Sequence, residues 1–315
     1  MKVNMFGKGD SRARTIKHKS PPPRKTLISR MWRLGDIVMC EPVNRIISET
    51  EEDVTFSTRS EYHPIVQSFH LSPPSVMKHP LDNKSYGNVI DLDSVSLTHD
   101  GYVSKVDAFL ARSGLDPSSI PDEIKIPRID LPERYDSWAK RFLSKRDLGG
   151  APLICVARQS LNERSPRNIP RETLDEVCER LAENHSVAIL GAFPMRMGLK
   201  NENIHNLTGS TPDVMSTAGV LANSRLLITV DTGLMHVAGA MGVPMITMMG
   251  PTRPDDVSSF YRNNTIIHVG RDGCCPCFER GCSDPCMRSI TADVIIEMAE
   301  ERMSNPSLET TVIVP

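Results

Sequence analysis

The sequence predicts an α/β fold with two doubly wound domains, each built on a parallel sheet, that face a central cleft. Short β-rich apolar runs alternate with amphipathic helical patterns, which is typical of parallel strands covered by helices. This alternation occurs twice along the chain. A chain of 315 residues also exceeds what one hydrophobic core usually organises, so two domains of about 150 residues each are expected.

The first series of elements predicts an amino-terminal domain over residues 25–148. Its helix is predicted from apolar residues that recur with helical spacing, and its strands from short β-rich runs. The predicted elements are a strand at 26–29, a helix at 37–47, strands at 54–56 and 89–92, and a bridging segment at 120–147 that is helical near Trp138.

The second series predicts a carboxy-terminal domain over residues 149–315. The run at 226–230 (LLITV) is continuously apolar and indicates a buried parallel strand. The predicted elements are strands at 153–156, 187–190, 226–230 and 245–249, and helices at 171–184, after a Thr211 cap, from about Leu234, and at 292–303 after a Thr291 cap.

A basic extension over residues 1–24 precedes the first strand. It holds seven Lys or Arg against one acid, Asp10, although the whole chain has a net charge of only −2. One interpretation is a disordered, solubilising arm; the other is a contact for phosphate-rich acceptors or anionic membrane surfaces. Since no apolar run reaches the roughly 18 residues of a membrane span and no secretory signal is evident, we expect a cytoplasmic protein without a transmembrane segment.

Two loops lie where parallel sheets bind ligands, beyond the carboxyl ends of strands. The first ends in Gly35-Asp36, and the second covers residues 231–236 (DTGLMH). A cleft between the two domains would place the carboxylate opposite a helix start. Gly233 permits close approach of a ligand, and the free N–H groups of the next helix favour a diphosphate.

Each of these residues also has a purely structural interpretation. Asp231 or Thr232 could cap the helix, which would stabilise it by about 1 kcal/mol. Asp36 could stabilise a helix dipole by roughly a few tenths of a kcal/mol. His236 could pack as a neutral histidine. The residue types alone leave these alternatives open.

A longer pattern surrounds the second loop, over residues 231–244 (DTGLMHVAGAMGVP) and 249–254 (MGPTRP). This pattern closely resembles the signature of the lipopolysaccharide heptosyltransferases, glycosyltransferase family nine. Residues 29–38 with Pro42 and Val43 resemble the opening motif of that family, and residues 89–92 are similar to its mid-domain strand. The resemblance spans roughly residues 25–300.

The resemblance implies an inverting enzyme of the GT-B type, with two Rossmann-like domains and the acceptor on the amino-terminal side. Asp36 would be the catalytic base. Donor binding would fall to the 231–236 loop and to a basic residue of a neighbouring loop; these residues are Arg167, Asp231, Thr232, Gly233, Leu234 and His236. The family usually has Trp where this chain has Ile169.

The resemblance further implies a nucleotide-sugar donor, with an ADP- or UDP-sugar expected and ADP-heptose as the usual family donor. No catalytic metal is expected. The acceptor would be a glycan or a lipid-linked precursor of a cell-surface glycan. Residues 191–194 offer no acid to bind a ribose, so the nucleotide base is not specified by this loop.

Five of the eight cysteines fall within residues 274–286. Such crowding in a chain expected to be cytoplasmic favours thiolate metal ligation over disulfides. Cys274, Cys277, Cys282 and Cys286 form a plausible tetrahedral set for a structural Zn²⁺, which would leave Cys275 over. The alternative is a reduced loop without an ion. Cys40, Cys155 and Cys178 are predicted to be core residues.

Two other functions are also consistent with the sequence. The basic extension could bring a glycosyltransferase to DNA, where a hydroxymethylated base would be the acceptor. A protein of another class would be a catalytically inert, zinc-stabilised binding protein on the same scaffold. The presence of both Asp36 and the complete 231–236 loop argues against the inert protein.

Overall fold

A computed structural model of the chain describes residues 25–77, 85–95, 104–148, 152–157, 165–271, 273–277, 282, 285–305 and 309–314. The basic extension at residues 1–24, and with it the predicted contact to DNA or to membranes, lies outside these residues. The described strands form two separate parallel sheets, here called the front sheet and the rear sheet. This confirms the predicted α/β class.

The front sheet has four parallel strands in the order β3-β2-β1-β4. Its central strand β1 is buried along its whole length because sheet neighbours and covering helices enclose it. The strands are β1 (Thr26–Ser29), β2 (Val54–Ser57), β3 (Ser75–Met77) and β4 (Asn88–Asp91). Ile28 pairs with Phe56 on one side and with Ile90 on the other, and these three side chains lie in the hydrophobic core.

Six helices follow the strands of the front sheet or bridge to the rear sheet. They are α1 (Leu34–Met39), α2 (Glu41–Ser48), α3 (His63–Val66), α4 (Lys105–Arg112), α5 (Asp122–Lys125) and α6 (Glu133–Ser144). The prediction of one helix over 37–47 is wrong, because the chain forms two helices that meet at Cys40. Pro42 explains the break, since it has no N–H to donate to the carbonyl of Val38.

The rear sheet has seven parallel strands in the order β11-β10-β9-β8-β5-β6-β7. They are β5 (Leu153–Ala157), β6 (Ser186–Leu190), β7 (Ile204–Asn206), β8 (Leu226–Val230), β9 (Met245–Met249), β10 (Asn264–His268) and β11 (Thr311–Ile313). The prediction missed β7, β10 and β11. β5 pairs with both β6 and β8, so the strand order reverses at β5, where doubly wound sheets bind ligands.

The helices of the rear sheet are α7 (Arg171–Leu181), α8 (Val214–Ala222), α9 (Gly233–Ala240), α10 (Pro254–Val257) and α11 (Ala292–Ser304). Thr291 caps α11 as predicted. The predicted Thr211 cap is wrong, because the carboxylate of Asp213 accepts the N–H of Ser216 at 2.7 Å. The hydroxyl of Thr211 bonds that of Thr217 instead.

Of the helix contacts between the two sheets, two are the most extensive. The bridging helix α6 packs on α8, and Asn223 donates a hydrogen bond to Asp136 at 3.0 Å. A Cβ added at Gly219 of α8 would lie 2.7 Å from the carbonyl oxygen of Tyr135, so the two backbones are nearly in contact. The second contact joins α1 to α9. Among the described helices, none combines the length and the apolar character of a membrane span.

Candidate active site

Asp36 lies in the first turn of α1, beyond the carboxyl end of β1, and is 5% exposed. One of its carboxylate oxygens, Oδ2, accepts from the guanidinium of Arg30, and the other, Oδ1, accepts from Nζ of Lys105 at 2.6 Å. Arg30 also donates to the carbonyl of Leu92 at 2.7 Å. The carboxylate is therefore fixed by two buried cations, a stronger interaction than the helix dipole alone would provide.

Asp231 lies beyond the carboxyl end of β8, and its Oδ2 accepts from Arg167 at 3.1 Å and from the hydroxyl of Thr252 at 2.8 Å. Arg167 follows β5, which is the neighbour of β8, so adjacent strand ends bring this pair together. Burial opposes ionisation of Asp231, yet the proximity of His236 and Arg167 and the Thr252 hydrogen bond hold its pKa well below the ordinary value.

The start of α9 carries no side-chain cap from Thr232. The Thr232 hydroxyl lies 3.3 Å from that of Thr229 instead, and the Asp231 carboxylate binds Arg167 and Thr252. The capping interpretation of Asp231 and Thr232 is therefore not supported. A helix start without a side-chain cap retains N–H groups that favour an anion.

His236 is 4% exposed and lies within α9. Its Nδ1 is 2.9 Å from the Tyr261 hydroxyl, and its Nε2 is 3.8 Å from Oδ1 of Asp231. These contacts match the interpretation of His236 as a packed, hydrogen-bonded histidine. They also place the ring directly behind the Asp231 carboxylate.

The front and rear loops meet at this point. A Cβ added at Gly35 would lie 2.7 Å from Nε2 of His236, and a Cβ added at Gly233 would lie 2.8 Å from the Cβ of Leu34. Burial raises the pKa of Tyr261 well above its ordinary value, and the charges of Asp231 and Asp36 raise it further. The structure thus brings Asp36 and the 231–236 loop together, as the sequence predicts.

Comparison with known proteins shows what this chain is similar to. Residues 170–288 match the family model Glycosyltransferase family 9 (heptosyltransferase). The lipopolysaccharide heptosyltransferase 1 of Pseudomonas aeruginosa is 40% identical over 165 residues, which cover 49% of this chain and 44% of the relative. Residues 170–288 are therefore similar to glycosyltransferase family 9. The chain spans a little under half the length of the curated relatives that it matches.

Solved structures show that this chain has the GT-B fold. The Escherichia coli ADP-heptose LPS heptosyltransferase II superposes with a TM-score of 0.70 at 16% identity, over 89% of this chain and 98% of that chain. The iron-containing dodecameric glycosyltransferase TibC of enterotoxigenic E. coli superposes with a TM-score of 0.67 at 15% identity, over 90% of this chain and 78% of that chain.

Four residues of this site did not follow from sequence reasoning: Arg30, Lys105, Thr252 and Tyr261. Arg30 lies within the motif at residues 29–38 and Thr252 within the motif at residues 249–254, but the sequence does not indicate which side chains they would contact. Lys105 contacts a residue 69 positions away, and Tyr261 one 25 positions away. Only their burial in the fold distinguishes them from ordinary surface polar residues.

The cysteines divide as the sequence predicts, because Cys40, Cys155 and Cys178 are buried. In the loop, the neighbouring Cys277 thiol raises the pKa of Cys274, and Cys282 and Cys286 add to this effect. Among the residues that the structure describes, no three His, Cys, Asp or Glu side chains are assembled around one metal position.

Sγ of Cys275 lies 4.0 Å from Nε2 of His268. The same loop is attached to the active-site segment that follows β9. Cys277 donates its N–H to the carbonyl of Pro251 at 2.7 Å, and Arg253 donates to the carbonyl of Cys275 at 3.0 Å.

Proposed function

We propose that this chain transfers a sugar from a nucleotide-sugar donor to an acceptor hydroxyl with inversion of configuration. The observation that carries the proposal is the close approach of the Gly35-Asp36 turn to His236 of α9. That approach puts a fixed carboxylate beside a helix start that lacks a side-chain cap. A general base and a diphosphate site are the two parts that such a reaction requires.

In the proposed reaction, the acceptor oxygen forms a bond to the anomeric carbon while the bond from that carbon to the diphosphate oxygen breaks. The hydroxyl proton passes to Asp36, and the electron pair leaves with the nucleoside diphosphate. Attack opposite to the leaving group inverts the anomeric centre. Positioned proton transfer of this kind contributes about 10²–10⁴-fold to a rate.

The leaving diphosphate would be stabilised by the backbone N–H groups of Thr232, Gly233 and Leu234 and by the guanidinium of Arg167. Asp231 would face the donor sugar, with His236 behind it. Its fixed geometry supports this role, since Arg167, Thr252 and His236 all contact the carboxylate or lie close to it.

The donor proposed first is ADP-heptose, because a structural neighbour of this chain is named an ADP-heptose LPS heptosyltransferase. A precursor of lipopolysaccharide or of another cell-surface glycan is the proposed acceptor, since curated relatives are lipopolysaccharide heptosyltransferases. We do not propose DNA as acceptor, because the hypothesis depended on residues 1–24. The inert binding protein is set aside because Asp36 and the rear loop are assembled.

The experiment that tests this function measures donor binding and transfer on the full chain. ADP-heptose, UDP-glucose and free ADP are compared by thermal shift, where a ligand at 100 times its Kd stabilises the native state by about 2.7 kcal/mol. Proton NMR of the product then reports the anomeric configuration. A chain that no nucleotide sugar stabilises, or a product that retains configuration, contradicts the proposal.

Arg167→Gln is expected to weaken binding of ADP by about 10- to 100-fold. The reason is the loss of a charged hydrogen-bond donor to the diphosphate, worth about 1.5–3 kcal/mol. Calorimetry with ADP measures the effect. Arg171→Gln is the matched control, because Arg171 is exposed and pairs with Asp175 one turn further along the same helix, α7. Equal affinities for the two variants would remove Arg167 from the donor site.

We also propose that Cys274, Cys277, Cys282 and Cys286 bind a structural Zn²⁺. The support is their proximity on one loop, where Cys274 and Cys277 are neighbours and the charges of Cys282 and Cys286 act on Cys274. Four thiolates suit a closed, tetrahedral structural site. Binding would require Cys282 and Cys286 to close around the neighbouring pair.

Elemental analysis of purified, reduced protein is expected to find about one zinc per chain. Cys277→Ser should lose the metal, whereas Cys275→Ser should retain it because Cys275 is directed at His268. Metal content that is low in the unmodified chain, or equally low in both variants, contradicts the proposed set.

A further inference from the structure

Lys105 occupies a position that elementary electrostatics disfavours. It is the first residue of α4, where the helix dipole repels a cation, and only 2% of it is exposed. Burial lowers the pKa of Lys105, and the nearby charges of Arg30 and Arg33 lower it further, while Asp36 opposes both effects. If Lys105 served only to pack α4, the folded protein would be more stable with an uncharged side chain at this position.

The favourable charged contact that the structure gives Lys105 is with Asp36, at 2.6 Å from Nζ to Oδ1. Arg30 already neutralises this carboxylate through the other oxygen. Both cations also lie beside the ring of Phe109, at 5.3 Å for Arg30 and 5.9 Å for Lys105. Two buried cations thus share one carboxylate.

We propose that Lys105 is a positioning residue for Asp36, an inference that rests on the function proposed above. A carboxylate offers about four acceptor positions on its two oxygens. Lys105 and Arg30 use one position on each oxygen, which fixes the plane of the group and leaves the remaining positions for the acceptor hydroxyl. Without Lys105, Oδ1 loses its partner and the carboxylate can turn about its side-chain bonds.

Lys105→Met tests this inference because it keeps a long side chain and removes the charge. The value of kcat should fall about 10- to 100-fold, since a misplaced reacting group costs about that much. KM for the donor should stay within about twofold, and Lys105→Arg, which keeps a cation beside Asp36, should recover most of kcat.

The matched control is Lys125→Met, because Lys125 is also buried but pairs with Asp107 and Asp122, away from Asp36. Its kcat should stay within about twofold of the original value. If Lys105→Met leaves kcat unchanged, or if Lys105→Arg is as slow as Lys105→Met, Lys105 does not position Asp36 and the inference is overturned. If Asp36→Asn transfers sugar normally, the proposed function itself fails; if Asp36→Asn is inactive and Lys105→Met keeps its kcat, only the role of Lys105 is rejected.

Discussion

Asp36→Asn is expected to lower the rate of sugar transfer by about 10²–10⁴-fold while ADP remains bound with nearly its original affinity. An amide at this position cannot take up the hydroxyl proton, so the step that breaks the donor bond loses its base. The proposed diphosphate contacts, Arg167 and the start of α9, are not altered by the change. Single-turnover kinetics and ADP calorimetry on the same preparation measure the two quantities.

The variant must also be shown to fold, because Arg30 and Lys105 would face a neutral amide. Leaving buried charges without their partner costs about 3–5 kcal/mol. The double variant Asp36→Asn with Lys105→Met removes one of the two cations and should recover most of the melting temperature without recovering transfer. Asp130→Asn, at an exposed carboxylate paired with His70, is the matched control. Normal turnover in Asp36→Asn would reject the base assignment.

Gly35→Ala is expected to cost about 1–3 kcal/mol of stability and about 10²-fold in transfer rate. The added methyl group would overlap the ring of His236, which is itself held by Tyr261. The ring cannot turn aside without losing that hydrogen bond, so α1 and α9 must separate. Because Asp36 is the next residue, the separation moves the carboxylate away from the rear loop. Thermal unfolding and transfer assays report the two effects.

A double-mutant cycle with His236→Ala tests this account. With the imidazole removed, alanine at position 35 has space, so the destabilisation by Gly35→Ala should fall to well under half. Gly198→Ala is the control, since nothing lies within 4 Å of a Cβ added at Gly198. Equal losses of stability in the presence and absence of the His236 ring would show that another contact makes Gly35 necessary.

Local pattern was sufficient to predict the strands that are buried on both faces. The strands at 26–29, 226–230 and 245–249 have the predicted bounds, because each is a short run of β-branched and other apolar residues with turn or loop residues on either side. The short edge strand β7 carries no such run, and the prediction missed it. The helix at 37–47 failed because helical periodicity was given more weight than Pro42.

The site divides in a similar way between local and distant information. Strand-end arguments were sufficient to bring Arg167 and Asp231 together, since the parallel strands β5 and β8 end at a common edge of the rear sheet. Asp36 belongs to the front sheet, so its approach to this edge depends on how the two sheets face each other. The partners of Asp36 could not be predicted, because an ion pair between residues 36 and 105 depends on how α4 packs. Such a contact leaves no periodic signal in either segment.

The packing of α6 on α8 has a consequence for any motion that opens the cleft. The hydrogen bond from Asn223 and the close backbone contact at Gly219 attach α6 to α8, which belongs to the rear domain. We therefore expect α6 to move together with the rear sheet. The pivot would therefore lie ahead of Glu133, some way before the boundary at residue 148 that the sequence predicts. A fragment produced from residue 149 onward would lack α6, and the face of α8 that α6 covers would be exposed to solvent.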